Sequence, residues 1–178
     1  MRVIAGRFGG RTLAAPRGRA TRPTPERVRE ALFSILGSVD DARVLDLFAG
    51  SGALGIEALS RGAAEATFVD SSAAAGAAIR HNLETLGARA EVHRRKALAF
   101  LDGARASGRQ YDLVLLDPPY RQAPGLGPEL SAALGPVLSP GARVVAESDR
   151  RVPLDLDLEM LDERRYGDTL IRIYVPTR

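Results

Sequence analysis

The sequence predicts an α/β fold in which helices cover both faces of a mostly parallel sheet. Short apolar runs typical of buried strands alternate along the chain with segments of helical periodicity. Strands and helices that alternate in this way favour a parallel sheet with helical crossovers. The last stretch instead holds two strand-like runs on either side of Tyr166-Gly167-Asp168, which predict a hairpin and an antiparallel last strand.

Five strands and five helices are expected between residue 25 and the final hairpin. The apolar runs place the strands at 43–48, 66–69, 90–93, 112–116 and 142–146. Helical spacing places the helices at 25–36, 56–60, 72–86, 97–106 and 128–138. Glycine is suited to end most of these helices, and Pro140-Gly141 is expected to stop the last one. With the hairpin, the strands predict a seven-stranded sheet.

A basic extension precedes this alternation. Residues 2–15 alternate loosely around Gly9-Gly10, which predicts a small N-terminal β-hairpin, and a polar loop follows it. Thr24 is suited to cap the first helix, with Pro25 at the first helical position.

Positive charge is concentrated in this part of the chain. The net charge of the whole chain is +3, whereas residues 1–30 hold eight arginines against two glutamates, a balance of +6. A basic arm on a weakly acidic body favours a polyanionic partner, and Arg7 and Arg11 are candidate contacts to nucleic-acid phosphates. The polar face of the first helix is expected to carry Arg27 and Arg29.

Composition excludes several classes of protein. The 178 residues include no cysteine, which excludes disulfides, thiolate metal sites and a thiol nucleophile. No apolar run approaches the ~18 residues of a membrane helix, and the N-terminus lacks the apolar segment of a signal peptide. We expect a cytoplasmic monomer with no metal, folded as one domain over residues 1–178, in which residues 1–20 are the hairpin and loop.

A glycine-rich loop, Gly50-Ser51-Gly52-Ala53-Leu54-Gly55, follows the first predicted strand. In an open α/β sheet, ligands bind at the carboxyl ends of strands, where glycines let the backbone approach them closely. Asp70 ends the next strand, where its carboxylate can accept hydrogen bonds from two ribose hydroxyls. The loop and this carboxylate together predict a cofactor that contains a nucleoside.

Two kinds of cofactor fit this pattern. The spacing Gly50-x-Gly52-x-x-Gly55, with Asp70 placed 18 residues after Gly52, matches the dinucleotide fingerprint and leaves a nicotinamide-dependent oxidoreductase open. Asp46, however, places negative charge at the end of the strand, and an anion there favours a cationic ligand. S-adenosyl-L-methionine has an ammonium group, a sulfonium group and a ribose, so it is the favoured cofactor.

The sequence Leu115-Leu116-Asp117-Pro118-Pro119-Tyr120 ends the fourth predicted strand at the same rim. Prolines cannot continue a central strand, but they hold neighbouring groups in place at little entropic cost. The Asp117 carboxylate and the Pro118 carbonyl can both accept hydrogen bonds from one exocyclic amine and aim its lone pair. Tyr120 can stack on the base that carries this amine, as suits a flipped base. The motif indicates methyl transfer to an amino nitrogen.

The segment DLFAGSGALGIEALSRGA together with DPPY resembles the class I S-adenosylmethionine-dependent methyltransferases that modify amino nitrogens. MRVIAGRFGGRTL, TRPTPERVREALFSIL, AES at 146–148 and YGDTLIRIY make the chain similar to the bacterial family that methylates guanine N2 in 16S ribosomal RNA. The resemblance covers essentially the whole chain. It implies a Rossmann-like fold, S-adenosyl-L-methionine as cofactor, and 16S rRNA in the assembled or assembling small subunit as partner.

The resemblance also implies roles for individual residues. Asp46, Gly50 and Gly52 would line the methionine end of the cofactor. Ala97 would meet the adenine through its backbone. The family has Asp or Asn at the preceding position to contact the adenine amino group, whereas this chain has Lys96, which cannot accept a hydrogen bond.

The target guanine and the lip over it are assigned in the same way. The residues that would hold the guanine are Asp117, Pro118 and Tyr120. The lip that would contact cofactor and substrate comprises Arg22, Pro23, Thr24 and Arg27.

Three alternatives stay open: a DNA adenine-N6 methyltransferase with the same pocket, a nicotinamide-dependent oxidoreductase, and an RNA-binding module with a vestigial pocket. Three further polar residues have no assigned chemistry. Glu57 is expected at a helix surface or behind the site, and Glu147 is expected to be structural. Asn82 is expected either at the rim of the site or in structural hydrogen bonds.

Overall fold

The computed structural model describes residues 1–18, 24–119 and 123–177. Seven strands in these residues form one sheet. The strands are β1 (Arg43–Leu47), β2 (Glu65–Asp70), β3 (Glu91–Arg94), β4 (Tyr111–Leu116), β5 (Leu138–Asp149), β6 (Glu159–Tyr166) and β7 (Thr169–Val175). The helices are α1 (Glu26–Leu36), α2 (Ala53–Ser60), α3 (Ala73–Leu86), α4 (Ala97–Ala106) and α5 (Ala123–Leu134). Within the described ranges, none of these helices has the length and apolar character needed to cross a membrane.

The strands lie in the order β3-β2-β1-β4-β5-β7-β6, and β7 is antiparallel to both of its neighbours. The strands from β1 to β5 are parallel to one another. This confirms the predicted α/β fold, with its mostly parallel seven-stranded sheet and antiparallel last strand. Strand order reverses between β1 and β4, and the carboxyl ends of strands at such a switch form a crevice for ligands.

Both faces of the sheet are covered, which is why β4 is apolar along nearly its whole length. On one face, Val44 and Phe68 belong to an apolar cluster with α1, α2 and α3. On the other face, Leu45 and Val114 belong to a cluster with α4 and α5. Side chains alternate between the two faces along a strand, so residues two apart lie on the same face. This alternation decides which carboxylates at the carboxyl ends of the strands share a face.

The predicted N-terminal hairpin is present as a single antiparallel bridge between Arg2 and Thr12. The backbone N–H of Val3 donates to the Arg11 carbonyl at 2.9 Å, and a 3₁₀ turn, Gly6–Phe8, joins the two arms. The arms bury apolar side chains in the cluster beneath α1 and α2, so the extension packs against the sheet domain.

Two buried side chains of α2 hold this extension in place. Glu57 accepts hydrogen bonds from the backbone N–H groups of Ile4, at 2.8 Å, and Ala5, at 3.1 Å. Ser60 accepts a third from Phe8 at 2.9 Å. The expectation that Glu57 lies at a helix surface is wrong, because the extension covers that face and the residue is fully buried.

The last helix and the following strand differ from the prediction at their boundaries. α5 begins at residue 123 rather than 128 and contains Pro128, and a 3₁₀ turn, Gly135–Val137, leads into β5. Pro140-Gly141 lies inside β5 instead of stopping a helix. The pairing of β4 with β5 shifts there, from Tyr111 and Leu138 to Leu113 and Arg143, so the missing proline N–H costs no regular ladder bond.

Candidate active site

The glycine loop makes a tight turn between β1 and α2. Gly52 donates its N–H to the Ala49 carbonyl at 2.7 Å, while Ala49 donates to the Val69 carbonyl of β2 at 3.1 Å. Gly50 and Gly52 have φ angles of +57° and +77°, in the left-handed region. Phe48 also has a positive φ, of 60°, which is costly for a bulky residue and is typical of functional sites.

The first two glycines of the loop have different surroundings. A Cβ built on Gly50 would meet only the Phe48 carbonyl oxygen, at 4.0 Å, so the space beside this glycine is open. A Cβ on Gly52 would lie 3.2 Å from side-chain atoms of Ile79 and Phe68. We call the open space beside Gly50 the cradle. Gly52, in contrast, is needed because the loop packs there against β2 and α3.

Gly55 sets how closely α2 approaches the sheet. A Cβ at this position would lie 2.4 Å from Cε1 of Phe68 and 3.0 Å from Oδ2 of Asp46. Its backbone N–H donates to the same Asp46 oxygen at 2.9 Å. The glycine thus brings the start of α2 against the carboxylate of β1.

Gly55→Ala is expected to destabilise the fold by about 1–3 kcal/mol, because the Phe68 ring is rigid and buried and has no room to retreat. Gly103→Ala is the matched control: Gly103 is an exposed glycine within α4, and its Cβ would meet only the end of Arg95, at 3.8 Å. It should stabilise the protein by about 0.5–1 kcal/mol. Calorimetric melting of both variants checks the sign, and equal melting temperatures would contradict this account of Gly55.

Asp46 lies next to the end of β1 and is buried. Burial raises the pKa of its carboxyl to about 8, the Gly55 N–H opposes this rise, and the charge of Asp70 adds to it. A buried carboxylate without a cation is costly, so this position favours a cationic group in the neighbouring cradle.

Asp70 ends β2 and joins the loop to the next helix. Its Oδ2 accepts the Gly50 N–H at 3.0 Å and its Oδ1 accepts the Ser72 N–H at 2.8 Å. Ser72 in turn caps α3. The carboxylate therefore lies beside the cradle in a fixed orientation.

Asp117 follows β4 at the same rim. β4 pairs Leu116 with Ala146 of β5, so the next residues, Asp117 and Glu147, follow as neighbours across the two strands. Removal from water raises the pKa of the Asp117 carboxyl well above its ordinary range, and the charges of Glu147 and Asp46 raise it further. Pro118 is buried behind this carboxylate, and Tyr120 lies outside the described residues.

Thr24 does not cap α1, contrary to the expectation. The helix begins at Glu26 with Pro25 at its cap position and no side-chain cap bond. The Thr24 hydroxyl instead donates to Oε2 of Glu147 at 2.6 Å, and both residues are buried. A hydroxyl has one proton to donate, and here the carboxylate of β5 accepts it. The predicted lip also includes Arg27, which is described below. Its remaining residues, Arg22 and Pro23, lie outside the described residues.

Ala97 is the first residue of α4 and is buried at the rim of the sheet. Lys96 precedes it, is exposed, and makes no side-chain cap bond to the helix. Asn82 of α3 is buried and ties the extension to the loop: its amide group bonds both backbone groups of Ala14, at 2.8 and 3.0 Å, and donates to the Ser51 carbonyl at 3.0 Å. The structural interpretation of Asn82 is therefore the one that the contacts support.

The arginines assigned to RNA are exposed. The Arg7 guanidinium stacks 4.4 Å from the centre of the Phe8 ring, and Arg11 donates to the Thr85 carbonyl at 2.9 Å. Arg27 is exposed on α1, as predicted. Arg29 is not on the polar face: it is fully buried, donates to the Arg2 carbonyl at 2.6 Å, and lies 3.8 Å from Glu57.

The residues that sequence reasoning undervalued are Glu57, Ser60, Asn82 and Glu147. A signal for two of them exists in the sequence. Glu57 stands within the apolar run ALGIEALS, and Glu147 follows the apolar run VVA in a strand. A lone acid in such a run is buried and must have partners. Across residues 1–18, 24–119 and 123–177, no cluster of three or more acidic or histidine side chains is suited to hold a metal ion.

Comparison with known proteins agrees with this geometry. A model of the family described as conserved hypothetical protein 95 matches residues 1–175. YlbH of Bacillus subtilis strain 168 is 40% identical over 185 residues, which cover 98% of each protein. Ribosomal RNA small subunit methyltransferase D of Escherichia coli K12 is 45% identical over 124 residues, covering 68% of this chain and 61% of that protein.

The solved structures extend the likeness to the whole fold. The structure of yhhF from Escherichia coli matches with a TM-score of 0.83 and 38% identity, over 98% of this chain and 96% of that one. The family match, the identities and this structural likeness cover nearly the entire chain. This chain therefore belongs to the conserved hypothetical protein 95 family, which confirms the resemblance to class I methyltransferases found in its motifs.

Proposed function

We propose that this protein transfers a methyl group from S-adenosyl-L-methionine to the exocyclic N2 of a guanine in 16S ribosomal RNA. One observation carries the proposal: Asp46, near the end of β1, and Asp117, directly after β4, lie at the carboxyl ends of the two neighbouring strands at the switch point, where the Gly50 loop also lies. The name of the Escherichia coli relative, a small-subunit rRNA methyltransferase, supports this class of substrate.

The residues around the cradle fit the proposed cofactor. The open space beside Gly50 would admit a ligand close to the backbone. Asp46, whose carboxyl has a pKa of about 8 in the free protein, gains a counter-ion when an ammonium group binds beside it. Asp70, held by Gly50 and Ser72, would accept the ribose hydroxyls, and Ala97 would meet the adenine through its backbone. A pyrophosphate would face two carboxylates here, which disfavours the nicotinamide alternative.

The Asp117 carboxylate suits a guanine edge. Guanine presents the N1–H and N2–H donors side by side, and an ionised carboxylate has only acceptors. It can accept from both groups, together with the Pro118 carbonyl, and so turn the N2 lone pair towards the cofactor. An adenine edge presents its N1 acceptor beside the amino group, which would face the carboxylate with a second acceptor.

The chemistry then rests on positioning and on proton transfer. When bound, S-adenosyl-L-methionine supplies an electrophilic methyl carbon, whose bond to sulfur breaks as the N2 lone pair attacks. Asp117 aims N2 along that line and accepts the proton that the methylated nitrogen releases. Its raised pKa suits a group that must take up this proton. Tyr120 is proposed to stack on the flipped base.

The basic extension is proposed to bind the RNA backbone. Arg7, Arg11 and Arg27 are exposed, and the buried contacts of Glu57 and Asn82 fix the extension that carries the first two. Arginines presented from an anchored segment contact phosphates without the entropic cost of ordering a free arm. Thr24, Arg22 and Pro23 are proposed as the lip between this surface and the cofactor.

Methyl transfer from labelled S-adenosylmethionine tests the proposal. Small ribosomal subunits without the modification, naked 16S RNA and duplex DNA are offered in parallel, and the modified nucleoside is identified by mass. We expect N2-methylguanosine in the small subunits. N6-methyladenine in the DNA would establish the adenine alternative instead, and binding of RNA with no transfer to any substrate would favour a vestigial pocket.

A further inference from the structure

Glu147 is a buried acid at the rim that the proposed mechanism does not use. Glu147 is 4% exposed. The register of β4 and β5 places it beside Asp117, the proposed proton acceptor. Two carboxylates side by side in a buried setting influence each other's protonation strongly. A buried acid beside another acid is destabilising unless its charge is paired or it holds a proton.

Burial raises the pKa of the Glu147 carboxyl, and two contacts oppose that rise. The Thr24 hydroxyl donates to its Oε2 at 2.6 Å, and the buried guanidinium of Arg29 adds positive charge. Two nitrogens of that guanidinium, Nε and one Nη, have no hydrogen-bond partner among the described residues. Arg29 of α1 therefore lowers the pKa of the Glu147 carboxyl through its charge.

The other charged groups near the pair either add negative charge beside Asp117 or interact with other residues. Asp46 of β1 adds negative charge beside Asp117, whereas Glu57 of α2 and Glu26 of α1 lie next to Arg29. On the other neighbouring strand, β7, Ile171 pairs with Glu147. Arg172 bonds Glu163 and Asp155 instead. Asp117 thus has acidic neighbours, and the positive charge that offsets them, that of Arg29, acts on Glu147.

We propose that Glu147 is a positioning residue for methyl transfer: anchored by Thr24, it presents a fixed negative charge that makes Asp117 a stronger proton acceptor for the target amine. The inference rests on the proposed function. In this proposal Asp117 contacts the base, and Glu147 acts only through its effect on Asp117. Its anchor, Thr24, also belongs to the proposed lip, so the same hydrogen bond joins the lip to Glu147. Burial raises the pKa of both carboxyls, and the charge of Glu147 raises that of Asp117 further.

The test is the pH dependence of single-turnover methyl transfer by the full chain, with small ribosomal subunits as substrate. Glu147→Gln keeps the acceptor for Thr24 but removes the charge. The variant should lose its activity at a lower pH than wild type, by about one pH unit, so that the ratio of the rates at pH 6 and pH 8.5 rises about tenfold. Its plateau rate should fall, because a weaker base takes the proton.

Glu129→Gln is the matched control, because it makes the same charge change at an exposed site on α5. Its profile should coincide with that of wild type. If Glu147→Gln lowers the rate at every pH without moving the acidic limb, Glu147 is merely structural and the inference is wrong. If wild type transfers no methyl group at any pH, the proposed function fails, and the inference is then decided by carboxyl NMR.

Carbon-13 NMR of the wild-type carboxyl groups needs neither activity nor a variant that folds. The inference expects Asp117 to titrate at a higher pH than Glu147. Titration of Asp117 below Glu147 would overturn it, whatever the activity of the protein.

Discussion

Asp117→Ala is expected to lower the rate of methyl transfer by about a thousandfold or more while S-adenosylmethionine still binds with an affinity close to that of wild type. The variant loses the acceptor that aims N2 and the base that takes its proton. Cofactor binding is spared because the cradle is built from Gly50 and from Asp46 and Asp70, whose carboxylates accept hydrogen bonds from the backbone of Gly50, Gly55 and Ser72. Rapid-quench transfer assays and calorimetric titration with the cofactor measure the two effects separately.

Asp102→Ala is the control for this variant, because Asp102 is an exposed acid on α4. It should leave both the rate and the affinity unchanged. Asp117→Asn sharpens the experiment, since an amide keeps the size but presents one donor and one acceptor and takes no proton at neutral pH. Transfer by either Asp117 variant within about tenfold of wild type would remove this carboxylate from the mechanism.

Asp46→Asn is expected to act in opposite directions on stability and on cofactor binding. The pKa of the Asp46 carboxyl is about 8 in the folded protein, compared with about 4 in an unfolded chain. The native state therefore holds a proton that the unfolded state releases. The stability from this proton is fully present below about pH 4 and is lost as the pH rises through about 8, at up to about 1.4 kcal/mol per unit.

The asparagine variant has no such proton to lose. At pH 8 it should be more stable than wild type, by a difference on the order of a few kcal/mol that shrinks towards pH 5. The amide oxygen still accepts the Gly55 N–H, so the loop keeps its shape. Cofactor affinity should fall about tenfold to a hundredfold, because the ammonium group loses a charged partner. Urea unfolding at pH 5 and pH 8, and calorimetric binding at pH 8, measure both effects.

Asp41→Asn is the matched substitution at an exposed site. Asp41 has a φ of 58°, a conformation that asparagine also adopts readily, so the control should be close to neutral in both assays. Unchanged cofactor affinity in Asp46→Asn would mean that no cationic group binds beside this strand. Unchanged stability at pH 8 would mean that the carboxyl is hydrated.

The parts of the site that could be predicted are those carried by local signals. β4 ends in LLDPPY, and a proline pair after an apolar run marks where a strand must stop. The spacing of Gly50, Gly52 and Gly55 predicts a turn between a strand and a helix, which is present, although the helix begins at Ala53, three residues before the predicted start. Because parallel strands present their carboxyl ends at one edge, Asp46, Asp70 and Asp117 had to lie at the same rim once the fold class was known.

The parts that were wrong or missing depend on contacts between distant segments. Thr24 is suited to cap a helix by its local sequence, yet its hydroxyl donates to Glu147, 123 residues away. Glu57 and Arg29 are charged residues on helices, where the local pattern predicts exposure, and the N-terminal extension buries both of them. Pro140-Gly141 is a strong stop signal that a shift in strand pairing accommodates.

By itself, the sequence determined the α/β class, the seven strands, the rim at which the acids of the site lie, and the family. These features are encoded in periodicity, spacing and short motifs, which depend only on neighbours along the chain. Only the tertiary structure decided how the extension closes over α2, why Gly55 must lack a Cβ, and that Glu147 stands beside Asp117 with Thr24 bound to it. Hydrogen bonds and charges act through space, so the partner of a buried polar group is known only when the strands are in register.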